Sequence, residues 1–400
     1  MQVKILKYDD LGNGLLKIND KVCFVKKALP GEVVNIKIDS SKKNYLKASI
    51  INILEESKER ILSPCKFYDK CGGCQFLHVK EEEEKRFKMA KCLNFLGRLD
   101  NFYETSAFSY RNKVTFHVKD GILGFYEEKS HELVPISFCH LLSPKMNQII
   151  KLFIKKKDSN FQGTLLIREN YQNETMLVIK GEYLYLDYLL QSSLIDNLVY
   201  QEKVLKGNDY FFEKILNYKF KVHYKSFFQV NRIGLLKIYE ILARFLNNKE
   251  ITNALDLYSG TSVLGIFLSK FSKKVISVEE NLFATNDAKF NLQLNRISNL
   301  EVINQKVENV ISHFRNIDLV IVDPTRNGLD LKTITNILKL KAKYLIYIAC
   351  GIDALKRDLE SLKEVYQVIE IDIVDMFPKT IHMECVGLLC LKDISKTLVK

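Results

Sequence analysis

The chain has 400 residues, of which 47% are hydrophobic, and its formal net charge is +12. This length favours two or three domains, and the positive charge favours a polyanionic partner such as nucleic acid. No apolar run approaches the eighteen or more residues of a membrane span, so we expect no membrane association. Nine cysteines without a secretion signal indicate a reducing compartment. We therefore expect a cytoplasmic protein whose clustered thiols bind metal or take part in catalysis.

The first half of the chain is predicted to be rich in strands. Residues 1–57 contain short alternating segments such as "KVCFVKKA" and "EVVNIKI", broken by "LPGE" and "DSSKKN", which predicts a small OB-like barrel. Apolar spacing in residues 80–99 predicts a helix. Pieces such as "NKVTFHVKDGILGFY", with a tight turn at "DG", predict a β-rich central domain over residues 58–225.

Residues 226–400 have a different pattern. Apolar strand candidates, among them "NALDLY", "KVISVE", "DLVIVDP", "YLIYIAC" and "YQVIEIDIVD", alternate with helical stretches. Such alternation is typical of a parallel sheet with helices on both faces. We therefore predict an α/β domain of Rossmann-like architecture at the C-terminal end.

A cysteine cluster in the segment "SPCKFYDKCGGCQFLH" indicates a metal site. Cys65, Cys71 and Cys74 form a C-x5-C-x2-C pattern, and the two glycines before Cys74 allow the backbone to fold back. A tetrahedral zinc and an iron–sulfur cluster are both compatible with this spacing. His78 as a fourth ligand favours zinc, whereas a distant cysteine such as Cys139 favours the cluster.

The segment "NALDLYSGTSVLGIFL" indicates a nucleotide-like ligand. It joins an apolar strand to a helix through a turn of small residues that contains Tyr258 and Gly260. About twenty residues later Glu279 ends the next strand, where a carboxylate accepts hydrogen bonds from a ribose. The pattern suits dinucleotides and S-adenosylmethionine (SAM), but the absence of G-x-G-x-x-G disfavours a dinucleotide.

Three further polar residues stand at the ends of predicted strands. Asp323 and Cys350 follow two apolar strands, and ligands of open parallel sheets bind beyond the carboxyl ends of the strands. Glu384 precedes the last apolar strand. Taken singly, each has an ordinary alternative. Asp323 is then a helix cap, Cys350 a buried thiol and Glu384 a surface carboxylate.

Together the motifs resemble the RNA uracil-C5 methyltransferase family, in the branch with an N-terminal TRAM domain and an iron–sulfur cluster that modifies 23S ribosomal RNA. The resemblance runs through nearly the whole chain, from "FVKKALPGEVV" through "CKFYDKCGGCQ", "SFFQVN", "DLYSG", "VEEN", "DPTRNGLD" and "YIACGIDALKRDL" to "DMFPKTIHMECVGLL". It implies a TRAM domain at 1–57, a central domain at 58–225 with the cluster, and a SAM-dependent methyltransferase domain at 226–400.

The resemblance also implies roles for individual residues. Cys350 matches the nucleophile, which adds to carbon 6 of uracil, and Glu384 matches the base, which removes the proton from carbon 5. The SAM pocket is matched by Gln229, Tyr258, Glu279 and Asp323. The 4Fe-4S cluster is matched by Cys65, Cys71, Cys74 and Cys139.

The chain departs from the family pattern at several positions. Thr261, Ser262 and Val263 replace residues of the usual cofactor turn, and Lys306 stands where an Asp or Asn near the adenine is common. Gly351 replaces an Asn after the nucleophile. These changes leave open how the turn binds SAM, although all the residues matched to the active site are present.

We expect an active enzyme that acts on RNA, with 23S ribosomal RNA favoured over transfer RNA, and that works as a monomer without an obligate protein partner. Three other classes of protein make different predictions. A non-catalytic RNA-binding or ribosome-assembly protein predicts binding without methyl transfer. A cytosine-C5 methyltransferase requires a Pro-Cys pair where "VDPTRN" stands. An iron–sulfur oxidoreductase predicts electron transfer from a reduced cluster.

Overall fold

The computed structural model describes residues 1–128 and 130–392, and these residues form two compact units. Unit 1 consists of Met1–Asn94, Phe125–Val134 and Phe377–His382. Unit 2 consists of Phe95–Gly124, Pro135–Met376 and residues 383–392. No helix in the described parts of the chain is both long and apolar enough to cross a membrane. The division into three domains at 57 and 225 stays a prediction.

Unit 1 begins with a six-stranded sheet in the region predicted to be strand-rich. Its strands are β1 (Gln2–Lys4), β2 (Lys7–Tyr8), β3 (Gly14–Ile18), β4 (Lys21–Val25), β5 (Val33–Ser41) and β6 (Tyr45–Glu55). Their order is β1-β5-β6-β4-β3-β2. Alternating residues such as Cys23, Val25 and Ile36 fill its core, because side chains along a strand point to opposite faces.

The predicted helix at 80–99 is α1 (Glu81–Leu96). It is held by buried charge as well as apolar packing. Lys88 donates to Glu84 over 2.6 Å, and the backbone N–H of Lys379 donates to the same carboxylate over 2.7 Å. A buried ion pair persists only when such additional hydrogen bonds satisfy it.

Unit 2 contributes most of a seven-stranded sheet. The strands after β6 are β7 (Asn101–Tyr103), β8 (Lys113–Lys119), β9 (Ile122–Tyr126), β10 (Leu133–Pro135), β11 (Gly163–Glu169), β12 (Thr175–Lys180), β13 (Asn197–Tyr200) and β14 (Lys203–Lys206). All of them except β7 belong to this sheet, in the order β10-β9-β8-β11-β12-β13-β14. The "DG" turn joins β8 to β9 with positive φ at Asp120 and Gly121, as a two-residue hairpin requires.

The remaining elements of unit 2 complete the α/β architecture. The helices after α1 are α2 (Pro144–Lys155), α3 (Leu186–Leu190), α4 (Arg232–Leu246), α5 (Val263–Leu268), α6 (Leu282–Leu294), α7 (Val307–Val310), α8 (Leu331–Leu340) and α9 (Ile352–Leu362), with a 3-10 turn at Ile311–His313. The strands after β14 are β15 (Tyr210–Ile215), β16 (Tyr218–His223), β17 (Ile251–Leu257), β18 (Ser272–Glu279), β19 (Leu300–Asn304), β20 (Leu319–Val322), β21 (Tyr344–Ala349), β22 (Tyr366–Val374) and β23 (Glu384–Leu391).

The hairpin of β15 and β16 has an edge covered by helix side chains. Asn291 of α6 accepts from the N–H of Lys221 and donates to its carbonyl, and Asn295 does the same for Lys219. Asp287 accepts from the N–H of His223. Side chains spaced by four residues on α6 therefore satisfy the backbone groups that a neighbouring strand would otherwise pair.

The large sheet of unit 2 has the order β19-β18-β17-β20-β21-β23-β22-β7. Strands β17 to β21 are parallel to one another, as predicted. Strands β18 and β19 lie on one side of β17, and β20 and β21 lie on the other. The sheet is not parallel throughout, because β23 inserts between β21 and β22 and runs antiparallel to both. This insertion brings the start of β23 to the edge where the parallel strands end.

Candidate active site

Three predicted site residues meet at this edge of the large sheet. Asp323 follows β20, Cys350 follows β21, and Glu384 is the first residue of β23. Ala349 pairs with Cys385 in the antiparallel register, so Glu384 lies beside the end of β21. The strand ends thus bring a thiol and two carboxyl groups together.

The neighbouring charged groups act on the thiol of Cys350. Burial raises the pKa of its thiol to about 11, and the carboxyl groups of Glu384 and Asp323 add to the rise. The guanidinium of Arg326 opposes the rise by its charge and by a hydrogen bond to the sulfur. Cys350 is half-buried, so its sulfur is not enclosed in the core. A cation next to a partly exposed thiol favours the reactive thiolate.

The two carboxyl groups influence each other strongly. Glu384 is only 2% exposed, and burial followed by the charge of Asp323 holds its pKa well above the usual range. Burial also raises the pKa of Asp323 to about 7. The pair therefore retains a proton near neutral pH, since like charges in a low dielectric cannot both form freely.

Arg326 was not among the residues predicted from the sequence. Its loop is held against α9, where Asp358 accepts from the N–H of Leu329 over 2.8 Å and Arg357 donates to the carbonyl of Asn327 over 2.9 Å. The carbonyl of Arg326 lies 2.6 Å from the position that a Cβ at Gly351 would occupy. Gly351, directly after Cys350, thus makes room for the loop that carries Arg326. The available signal was a basic residue three positions after Asp323.

A cleft lies next to these residues. It is lined by Phe227, Phe228, Gln229, Leu235, Ile238, Tyr258, Ser259, Gly260, Thr261, Val263, Leu264, Asp323 and Ile348. Three of the four residues predicted for the cofactor, Gln229, Tyr258 and Asp323, are among them. Asp323 lines the cleft and also acts electrostatically on Cys350, which places the cleft beside Cys350.

Glu279 supports the turn at the cleft but is not among the residues that line it. Its carboxylate accepts from the N–H of Gly260 over 2.9 Å and from that of Asn281 over 2.7 Å. The turn needs this support because Tyr258, Gly260 and Ser262 all have positive φ, which side chains disfavour.

The turn has buried polar groups that suit a polar ligand. The hydroxyls of Ser259, Thr261 and Ser262 are buried and have no hydrogen-bond partner among the described residues. Below them lies Asp256, whose pKa burial raises to about 7. Buried polar groups normally find a partner, and the charged amino-acid portion of SAM supplies donors and acceptors. The substituted turn, with Thr261 and Ser262, thus fits the expected cofactor.

The comparisons with known proteins agree with this geometry. Residues 190–392 match the tRNA (Uracil-5-)-methyltransferase family, and residues 1–51 match the TRAM domain. An uncharacterised RNA methyltransferase of Clostridium acetobutylicum is 33% identical, covering 97% of this chain and 96% of its own. The chain belongs to the tRNA (uracil-5-)-methyltransferase family. An uncharacterised RNA methyltransferase of Caldanaerobacter subterraneus subsp. tengcongensis is 30% identical over 97% of each chain.

A solved structure shares the fold of this RNA methyltransferase. It is the tRNA (uracil-54, C5)-methyltransferase of Pyrococcus abyssi in complex with S-adenosyl-L-homocysteine. The TM-score is 0.81, with 23% sequence identity over 97% of this chain and 100% of that one. The family, the TRAM domain and the methyltransferase fold predicted from the sequence are therefore confirmed.

The predicted metal ligands of the methyltransferase divide between the two units. Cys65, Cys71 and Cys74 belong to unit 1, and Cys139 belongs to unit 2. Burial raises the pKa of Cys71, and the charge of nearby Cys65 also raises it. Within residues 1–128 and 130–392, no three Cys, His, Asp or Glu side chains form a group that could hold a metal ion. The thiols suit an iron–sulfur cluster chemically.

His78, the alternative zinc ligand, has a different environment. It is 4% exposed, and its Nδ1 lies 2.5 Å from the hydroxyl of Tyr68. Burial, with the charges of Arg60 and Lys27, lowers its pKa to about 3. His78 is therefore a neutral buried side chain that is engaged with Tyr68.

Proposed function

We propose that this enzyme forms 5-methyluridine in 23S ribosomal RNA, with Cys350 as nucleophile and Glu384 as base. The observation that carries the proposal is the convergence of Cys350, Glu384, Asp323 and Arg326 beside the cofactor cleft. Carbon 5 of uracil is a poor nucleophile, so a thiolate and a nearby base are the groups that its methylation requires. Transfer RNA is the second candidate substrate, because the matched family and the Pyrococcus abyssi enzyme are named for it.

In the proposed mechanism the thiolate of Cys350 adds to carbon 6 of the uracil, and carbon 5 becomes electron-rich. Arg326 favours the thiolate by its charge. When bound, SAM supplies an electrophilic methyl group. Glu384 then accepts the proton from carbon 5, and the bond between the sulfur and carbon 6 breaks to regenerate the thiolate. A raised pKa makes the Glu384 carboxylate a stronger base, but the proton that the carboxyl pair holds near neutral pH has to leave Glu384 before this step.

We assign the cofactor to the cleft, with Gln229, Tyr258 and Asp323 as contacts and Glu279 at its turn. Tyr258 reaches the start of α8, where its hydroxyl lies 3.4 Å from that of Thr333. The target base must leave its stack to reach Cys350, which favours a single-stranded or opened segment of RNA.

We also propose that the protein acts as a cytoplasmic monomer. We further propose that a 4Fe-4S cluster with a structural role is held by Cys65, Cys71, Cys74 and Cys139. The support is the thiol donor set and the resemblance of the motif. Protein purified without oxygen is expected to be brown and to contain iron and sulfide. Colourless protein with stoichiometric zinc contradicts the cluster.

The proposed activity is tested with purified protein, labelled SAM and unmodified 23S ribosomal RNA or transfer RNA. We expect label in 5-methyluridine of the ribosomal RNA, mapped to one position by nuclease digestion and mass spectrometry. Label in transfer RNA alone moves the substrate to the second candidate. Absence of label in both, with bound SAM verified, contradicts the proposed function.

A further inference from the structure

A surface of unit 2 carries alternating aromatic and cationic side chains that the proposed mechanism does not use. We call it the lysine–aromatic surface. It consists of Tyr210, Phe212, Lys219, Lys221, Lys225, Phe283 and Phe290. These residues come from the hairpin of β15 and β16, the segment that follows it, and α6.

The hairpin register places the two residue types side by side. Phe212 pairs with Lys221, and the period-two alternation puts Tyr210, Phe212, Lys219 and Lys221 on the face opposite the buried Phe220. The ammonium of Lys219 lies 4.1 Å from the ring centre of Phe212, and that of Lys221 lies 4.4 Å from the ring centre of Tyr210. Each cation is therefore held at an aromatic face.

Helix α6 extends this surface. Phe283 and Phe290, seven residues apart on one helix face, are each 41% exposed. Lys225 lies 5.0 Å from the ring centre of Phe283, and Lys221 lies 5.1 Å from that of Phe290. Large aromatic side chains exposed next to cations are costly to leave in water unless they bind a partner.

The charges next to the surface have been partly balanced by acids. Glu202 pairs with Lys225 over 2.9 Å, Asp209 lies 3.4 Å from His223, and Asp287 lies 4.0 Å from the ammonium of Lys221. Asp287 is 2% exposed and is occupied by backbone and Ser226 hydrogen bonds, so it presents little charge to solvent. Glu202 therefore offsets Lys225, whereas Lys219 and Lys221 keep most of their positive charge.

The surface continues to the cofactor cleft. The chain leaves β16 at His223, which stacks on Phe283 with ring centres 4.7 Å apart, and passes through Lys225 to Phe227. Phe227 is 60% exposed and lines the cleft. A ligand on the lysine–aromatic surface thus lies next to the site where the methyl group is transferred.

We propose that the lysine–aromatic surface binds a single-stranded segment of the substrate RNA that flanks the target uridine. This inference rests on the proposed function, since it assigns the substrate's path. Bases stack on aromatic rings whatever their sequence, while neighbouring lysines neutralise the phosphates. A purely apolar protein partner would not use the interleaved lysines.

The test measures the binding of a single-stranded oligouridylate to the Cys350→Ala protein, so that binding is separated from turnover. In that background Lys219→Gln/Lys221→Gln is expected to weaken binding about tenfold at low salt and to reduce the slope of log affinity against log salt by about 1.4. Phe290→Ala is expected to weaken it by a similar factor with little change in slope.

The matched control is Lys273→Gln/Lys339→Gln, which removes the same charge from two exposed positions. Lys273 lies near the start of β18 and Lys339 near the end of α8, so both are near the edge where the parallel strands begin. It is expected to change binding less than twofold. Equal weakening by both pairs overturns the proposal, and so does unchanged binding in folded Lys219→Gln/Lys221→Gln. Unchanged oligouridylate binding with reduced methylation of ribosomal particles alone assigns the surface to a protein instead. Wild-type protein that binds through this surface but forms no 5-methyluridine refutes the proposed function and leaves the surface standing.

Discussion

The edge of the large sheet in unit 2 and the cysteine loop in unit 1 contain the two sets of residues that the motifs assigned to chemistry. At the sheet edge, Cys350, Glu384 and Asp323 meet, and Asp323 raises the pKa of both other groups while Glu384 raises that of Cys350. In the loop, Cys65, Cys71 and Cys74 are close in sequence, yet the described residues assemble no metal-binding group. Backbone pairing in a sheet fixes the positions of residues at strand ends, whereas residues on a loop lack that constraint.

The largest expected effect comes from Cys350→Ala. We expect methyl transfer to fall by more than about 10⁴-fold, because no other nucleophile adds to carbon 6. The measurement is transfer of labelled methyl to RNA, with SAM affinity checked separately. Cys390→Ala removes a buried thiol from the same sheet and is the matched control. Transfer retained by Cys350→Ala refutes the nucleophilic role.

Glu384→Gln tests the other half of the catalytic pair. We expect turnover to fall by about 10²–10⁴-fold, since removal of the carbon 5 proton loses its base. The adduct should accumulate, because the sulfur cannot leave until that proton is removed. Denaturing electrophoresis then shows RNA linked covalently to the protein. Product release at the normal rate, without an adduct, contradicts this role.

Arg326→Gln sharpens the electrostatic account of the edge. The charge of Arg326 lowers the pKa of Cys350, so its loss raises that pKa further and reduces the thiolate fraction at neutral pH. We expect kcat/KM near pH 7 to fall about tenfold if the pKa of Cys350 rises by one. Activity should rise with pH in both proteins, because the thiolate of Cys350 and the carboxylate of Glu384 both form as pH increases.

The dependence of activity on pH tests this role of Arg326. The pH profile of Arg326→Gln should move to higher pH, with partial recovery of activity in alkaline buffer. Arg326→Lys keeps the charge and should move the profile less. A loss of equal size at every pH assigns Arg326 to RNA binding instead.

The smallest effect on chemistry is expected in the cysteine loop. Cys71→Ser should remove iron and lower the melting temperature, while methyl transfer by the remaining folded protein falls less than about tenfold. Iron content, melting temperature and transfer are measured on one preparation. Cys23→Ala, a buried thiol of the same unit outside the predicted ligands, should keep its iron. Loss of transfer as complete as in Cys350→Ala excludes a purely structural role.

Much of the edge was predictable because periodicity and turn residues mark strand ends. "DLVIVDP" and "YLIYIAC" ended strands where the structure ends them, so Asp323 and Cys350 were placed correctly. Arg326 was missed, because its approach to Cys350 depends on contacts of its loop with α9. The edge protection by Asn291 and Asn295 was missed for the same reason, since polar residues on a helix ordinarily predict a solvent-exposed face.

The sequence alone determined the strands, their ends and the chemical groups that follow them, because these depend on local periodicity and on residue type. Only the tertiary structure decided that β23 runs antiparallel between β21 and β22. Strand direction depends on long-range pairing, which no local pattern encodes. That direction brings Glu384 next to Cys350 and gives the carboxyl groups their shared, raised pKa values.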